Sequence, residues 1–276
     1  MTLFNSVLDK AIRNRNLVKI IAGLDNFHIH QVIQIVKAAE TAGATYVDIA
    51  ANSYLLKEVK KNTSLPVCIS SVDPQELYNT SLEGVDLVEV GNFDCLYNKN
   101  IYLSGDQVLG LAKEVIHLFP VTDVCITIPH ILPLGEQVKL SYRLEKIGVK
   151  ILQTEGYFAK IADISTPSQR FAEELSDHIN CASSALTTAY SISKVVNVPV
   201  IAASGINVLS APLSIFYGAS GIGIGTAVRN CKTSLEMSKY IREVVQSVRQ
   251  NRIETLNHLS SLTRFSSSFS SSVNVL

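Results

Sequence analysis

Eight short runs rich in β-branched residues recur along the chain, and each is followed by a stretch long enough for a helix. They fall at 18–24 (VKIIAGL), 45–51 (TYVDIAA), 66–72 (PVCISSV), 86–93 (DLVEVGNF), 123–129 (DVCITIP), 150–156 (KILQTEG), 199–206 (PVIAASGI) and 220–228 (SGIGIGTAV). Nearly continuous apolar strands separated by amphipathic helices are what a parallel sheet covered on both faces requires. Residues 28–43 show the intervening pattern, with Ile29, Val32, Ile33, Val36 and Ala39 at helical spacing. The joints repeat in pairs. Strands two, four, six and eight follow helices expected to stop at Gly43, Gly84, Gly148 and Gly218, whereas strands three and seven are entered through Pro66 and Pro199, and Pro120 precedes strand five. An open doubly wound sheet does not explain that alternation, and eight units favour closure into a barrel.

The expected fold is therefore α/β, a single (β/α)8 TIM barrel over residues 1–258. Residues 259–276, rich in serine, read as a flexible low-complexity tail. Leu3 to Arg13 reads as a short helix closing one end of the barrel. The span between strands six and seven is too long for one helix: Thr166 or Ser165 caps an extra helix with Pro167 at its first position, and a second helix covers 182–196. Such an insertion is placed where a lid would sit. The last helix is expected from Ser234 to Ile253.

Of the 276 residues, 47% are hydrophobic, enough to bury one large core; 24 Lys+Arg balance 24 Asp+Glu. No global field exists to hold nucleic acid or an anionic membrane, so an anion must be held locally. No run is long enough to cross a bilayer, and the first residues resemble neither a signal peptide nor an organelle leader. Five widely spaced cysteines without a CxxC pair read as reduced thiols rather than a zinc site.

In barrels of this kind the last two strand-to-helix turns commonly hold a phosphate. The segment 198–229 has that form, with Ser204, Gly205 and Asn207 after strand seven and Gly225 and Thr226 after strand eight as the expected phosphate-binding residues. Alternation directs Asp48, Glu89 and Glu155 into the barrel from alternate strands, suggesting one shared layer, with Gln153 on the same side as Glu155. Converging carboxylates suit Mg²⁺ binding, an ammonium group or proton transfer. Pairing with a cation such as Lys19 or Lys150 is the competing structural reading, since a buried carboxylate needs a partner. His130, directly after strand five, is the histidine best placed for acid/base work; Ser70, Ser71, Asn92, Asp94 and Thr127 surround the same face, and His28 and His30 are expected at the surface. No HExxH or HxxxH pattern marks a metal. Lys19 and Lys150 read as lying at strand starts, too low for a Schiff base, leaving Lys160 as the lysine near the top.

The paired turns ASGI and GIGIGTA resemble the phosphate grip of aldolase-type barrels, including nitronate-monooxygenase-like flavoproteins that bind FMN there. The expected lack of a strand-end lysine or arginine departs from that pattern. Over most of its length the chain is similar to the hypothetical chloroplast reading frame twenty-three family. The residues carrying this are 17–27 (LVKIIAGLDNF), 42–50 (AGATYVDIA), 65–74 (LPVCISSVDP), 88–94 (VEVGNFD), 126–134 (ITIPHILPL), 151–156 (ILQTEG) and the two glycine turns. That resemblance implies an aldolase-type barrel in the plastid, in the chloroplast stroma, and no particular activity. Three functions compete: a lyase, isomerase or synthase acting on a phosphorylated small molecule, an FMN-dependent oxidoreductase, or a non-catalytic metabolite-binding barrel. No pattern in the sequence specifies an oligomeric state.

Overall fold

The computed structural model describes residues 2–91, 93–97, 99–156 and 182–250. Eight parallel strands close into a barrel in chain order, β8 returning to pair with β1. They are β1 (Leu17–Ile21), β2 (Tyr46–Ala50), β3 (Val67–Ser71), β4 (Leu87–Val90), β5 (Asp123–Ile128), β6 (Ile151–Thr154), β7 (Val200–Ala203) and β8 (Gly221–Ile224). Every expected strand is present, and most are shorter than the apolar run that announced them. The flanking prolines and glycines belong to the turns, because proline cannot donate to the ladder and the glycines bend away from it.

The helices are α1 (Ser6–Arg13), α2 (Ile29–Ala42), α3 (Ser53–Lys60), α4 (Pro74–Ser81), α5 (Asp94–Tyr97), α6 (Gly105–Leu118) and α7 (Leu134–Lys146). Helix α8 occupies 182–193, followed by α9 (Ser210–Phe216), α10 (Thr226–Arg229) and α11 over 234–250. The Thr166-capped helix, the lid and the boundary at 258–259 lie outside the described residues. Helices α5 and α10 are single turns that periodicity did not reveal. The four expected glycine stops all have left-handed backbone, with φ of 80°, 82°, 101° and 108° at Gly43, Gly84, Gly148 and Gly218. A Cβ is disfavoured in that region, which is why glycine ends these helices.

Strand residues facing outward, such as Val18, Ile20, Val47 and Ile49, pack against the helices in the larger core. Inward residues of the lower barrel form a second cluster of Leu17, Tyr46, Cys68, Leu87, Cys125, Ile151 and Ile201, sealed from below by Leu3 and Leu8. The N-terminal helix is thus a plug, as expected. Asn5 caps it by accepting from Val7 N and Leu8 N, and Phe4 N donates to Asp123 Oδ2 at 2.7 Å, tying the plug to the start of β5.

Closure of tilted strands staggers the register by about one residue per strand, so inward side chains fall into layers drawn from alternate strands. The pairings place Lys19, Cys68, Cys125 and Ile201 in one layer and Asp48, Glu89, Gln153 and Gly223 directly above it. Ile21, Ser70, Thr127 and Ala203 follow, and continuing the same register puts Gly91, Glu155 and Gly225 at the mouth. The single layer expected for Asp48, Glu89 and Glu155 is therefore corrected. Gln153 completes the layer, and Glu155, two residues further along β6, lies above it.

Candidate active site

The middle of the barrel is polar and closed. Lys19, the third residue of β1, sends its ammonium to Glu89 Oε2 at 2.6 Å, Gln153 Oε1 at 2.9 Å and Asp48 Oδ2 at 2.8 Å. The first two are directed hydrogen bonds, whereas Asp48 Oδ2 faces the ammonium as an ion pair outside a hydrogen-bonding direction. Ser70 donates its hydroxyl to Asp48 Oδ1. Gln153 Nε2 donates to Glu89 Oε1 at 2.8 Å, and Thr127 donates to the same oxygen at 3.1 Å. Lys19 and Glu89 have no exposed surface. Burial pulls the Lys19 proton affinity down, but Asp48 and Glu89 outweigh it and hold the ammonium well above its usual range. Burial raises the Glu89 carboxyl, Lys19 opposes that and Asp48 adds to it.

Two expectations change here. Lys19 is not at a strand edge but central in β1, because the strand begins one residue earlier than the apolar run suggested. Its own ammonium lies between Asp48 Oδ2 and Glu89 Oε2, 2.8 and 2.6 Å away. The cation-pairing reading holds for Asp48 and Glu89. Among the described residues no group of three His, Cys, Asp or Glu is arranged to hold a metal.

Around this layer, glycines make room. A Cβ on Gly91 would meet Thr127 Oγ1 at 2.2 Å and Glu89 Oε1 at 2.9 Å, so the network itself excludes a side chain there. Gly221 and Gly223 face Leu17 and Ile21 of β1 in the same way, at 2.6 and 3.2 Å. The GIGIG repeat is therefore first a packing device of β8.

The mouth is built differently. Glu155 Oε2 accepts from Tyr97 OH at 2.7 Å, from His130 N at 3.2 Å and from His130 Nδ1 at 3.0 Å. Facing a carboxylate, Nδ1 carries the proton. Tyr97 stands edge-on to the His130 ring at 4.8 Å and stacks on Tyr102 at 5.8 Å. His130 and Glu155, both singled out in the sequence, are brought together; Tyr97, on the unforeseen α5, is the partner the sequence reading missed. Chain separation hid it, since Tyr97 and Glu155 are 58 positions apart. His28 and His30 are exposed. Asn92, Lys160 and the side chain of Asp94 lie outside the described residues.

At the phosphate turns, Ser204 and Gly205 both have positive φ, 77° and 67°. Asn207 Oδ1 accepts from Leu209 N and Ser210 N at 2.9 and 3.0 Å, fixing the entry to α9. After β8, Gly225 leads into α10, whose Arg229 bonds Ile21 O and Thr226 Oγ1, each at 3.1 Å. A Cβ on Gly225 would meet that guanidinium at 2.6 Å. A cation thus does stand beside a strand end. It was missed because residues 220–228 read as one strand, hiding the single turn that carries Arg229 back over β1.

Residues 3–254 match the protein family described as a protein of unknown function, DUF561. The chain belongs to that family. Its relatives include proteins named uncharacterized protein ycf23. The one from Antithamnion sp. is 45% identical over 251 residues, covering 90% of both chains. Those from Porphyra purpurea and Cyanophora paradoxa are 35% and 37% identical, covering 92% and 87% of this chain and 94% and 96% of theirs. This is the reading-frame family that the sequence motifs resemble. Among solved structures, family fold and barrel order recur in (S)-3-O-geranylgeranylglyceryl phosphate synthase from Thermoplasma acidophilum, solved in complex with sn-glycerol-1-phosphate. It has a TM-score of 0.61 at 15% identity, covering 91% of this chain and 99% of that one. A 3-hexulose-6-phosphate synthase gives 0.56 at 14% identity over 84% and 99%. Thiamine phosphate pyrophosphorylase from Pyrococcus furiosus gives 0.55 at 16% identity over 87% and 98%. At these identities the likeness is one of fold: aldolase-type barrels. No helix among the described residues is long and apolar enough to cross a membrane.

Proposed function

We propose that the chain is a plastid stromal enzyme of the lyase, isomerase or synthase kind that anchors a small metabolite by its phosphate. The observation that carries this is the turn pair: a non-glycine residue, Ser204, held at positive φ beside Gly205, with Gly225, Thr226 and Arg229 on the neighbouring strand end. Backbone strain at a non-glycine residue clusters at binding sites, and a guanidinium supplies charge and paired donors suited to phosphate. Structures of like fold named for phosphorylated compounds support the same class.

The carboxylates then divide the work. Asp48, Glu89 and Gln153 are pinned around Lys19 and shape the floor, while Glu155 and His130 stand at the mouth, where proton transfer to or from a bound ligand is geometrically available. Phosphate binding to the full chain tests the anchor. Inorganic phosphate should raise the thermal midpoint of the wild-type protein, by about 2.7 kcal/mol of stability at one hundred times Kd, and Arg229→Ala should lose most of that gain. An unchanged midpoint, together with no sulfate density at the turns in soaked crystals, would overturn the proposal.

A further inference from the structure

Glu155 is held by one oxygen only. Oε2 accepts three hydrogen bonds, from Tyr97 OH and from His130 N and Nδ1. Among the described residues Oε1 has no hydrogen-bond partner, and it is buried in a residue only 3% exposed. Leaving a buried acceptor unmade costs about 1–3 kcal/mol, more when it is charged. Every carboxylate oxygen of the central network faces a donor or an ammonium, and the other orphaned carboxylate oxygen, Asp123 Oδ1, lies at the far end of the barrel, at the start of β5. At the mouth the layer of Glu155 is completed by Gly91 and Gly225, neither of which brings a side chain that could satisfy Oε1.

We infer that Glu155 Oε1 is the recognition point for a hydrogen-bond donor on the ligand, and that the ligand is a phosphate ester whose short carbon skeleton carries a hydroxyl or ammonium group. This rests on the phosphate reading of the β7 and β8 turns. Strands β6 and β8 are two apart in the sheet, so at about 4.8 Å per strand the two binding points are separated by roughly 10 Å. A chain of a few carbons spans that gap once the Glu155 side chain and the phosphate oxygens add their own reach. Tyr97 and His130 act as positioning residues: by occupying Oε2 they fix the carboxylate plane and leave Oε1 as the acceptor. Tyr97 is itself fixed by the Tyr102 stack and the His130 edge.

Calorimetric titration of the full chain at neutral pH tests this with four probes: inorganic phosphate, methyl phosphate, glycerol phosphate and O-phosphoethanolamine. Either donor-bearing ester should bind about tenfold more tightly than methyl phosphate, the equivalent of about 1.4 kcal/mol for one charge-assisted hydrogen bond. Which of the two gains more tells hydroxyl from ammonium. In Glu155→Ala the preference should vanish while inorganic phosphate affinity stays within about twofold. In Tyr97→Phe, which keeps the ring and loses the donor to Oε2, the preference should shrink several-fold without loss of phosphate binding. Equal affinity of all three esters for the wild-type protein would overturn the inference and leave the anchor standing. So would a preference that survives both Glu155→Ala and Tyr97→Phe. Failure of inorganic phosphate itself to bind would overturn the anchor and this inference together.

Discussion

The two carboxylate clusters of the barrel sit a few ångströms apart along one axis and are built on opposite terms. Around Lys19, Asp48 and Glu89 are closed in: an ammonium, an amide and two hydroxyls meet their oxygens, and no surface is exposed at Lys19 or Glu89. At the mouth, Glu155 is steadied on one side and unfinished on the other. A saturated network resists change, because removing any member strands a charge. The unsaturated one leaves an acceptor that no group among the described residues fills. Burial alone does not separate them; the count of partners per oxygen does.

The largest effect expected from breaking that contrast is at Lys19. Lys19→Met should leave two buried carboxylates without their cation and destabilise the fold by about 3–5 kcal/mol, read from urea unfolding. Adding Glu89→Gln should recover part of the loss, and full additivity of the two would show that the pair is not coupled. Next comes Gly91→Ala. Its methyl would collide with Thr127 and Glu89, so a loss of about 1–3 kcal/mol is expected, with rescue by Thr127→Ser excluded because the colliding Oγ1 is retained.

A smaller, pH-dependent loss belongs to the floor alone. Asp48 and Glu89, against the pull of burial, hold Lys19 above its ordinary 10.5, and burial holds Tyr46 above 10.0 and Cys68 and Cys125 above 9.0. The unfolded chain sheds these protons first, so the native state is the better proton holder. Stability present below about pH 9 is then lost as pH rises beyond it. Urea midpoints between about pH 8 and 11 should fall, with a shallower slope in Lys19→Met and an unaltered one in Glu155→Gln. The smallest shift is expected at the mouth itself. Glu155→Gln keeps an acceptor for Tyr97 and His130 and turns an amide NH2 to the side of Oε1, so stability should move by less than about 1 kcal/mol. A loss as large as that of Lys19→Met would erase the distinction between the clusters.

What the sequence disclosed was local. Glycine helix stops, proline strand entries and apolar runs are written within a few residues of where they act, so eight units and their order could be read directly. Directions along a strand were also legible, which is why Asp48, Glu89 and Gln153 were rightly placed on the inner face. Register was not: it depends on how strands slide past one another, so Glu155 was put two layers too low and Lys19 at an edge rather than the centre. Single-turn helices left no periodic trace, which hid Tyr97 on α5 and Arg229 on α10. Both side chains act on groups far away in sequence, Glu155 and Ile21. Asn207 is the opposite case, as its Oδ1 is held by its own near neighbours, Leu209 N and Ser210 N.

The inward glycines of β8 bear on how the ring is completed. Strands β1 and β8 lie at opposite ends of the chain, yet Leu17 and Ile21 seat into the spaces left by Gly221 and Gly223. Sliding β8 by one residue would turn Ile222 or Ile224 inward against Leu17 and Ile21, where no space exists. The seam is therefore keyed like a zip, with teeth on the first strand and sockets on the last. The final strand to be synthesised has a single position in which it can lock the ring shut.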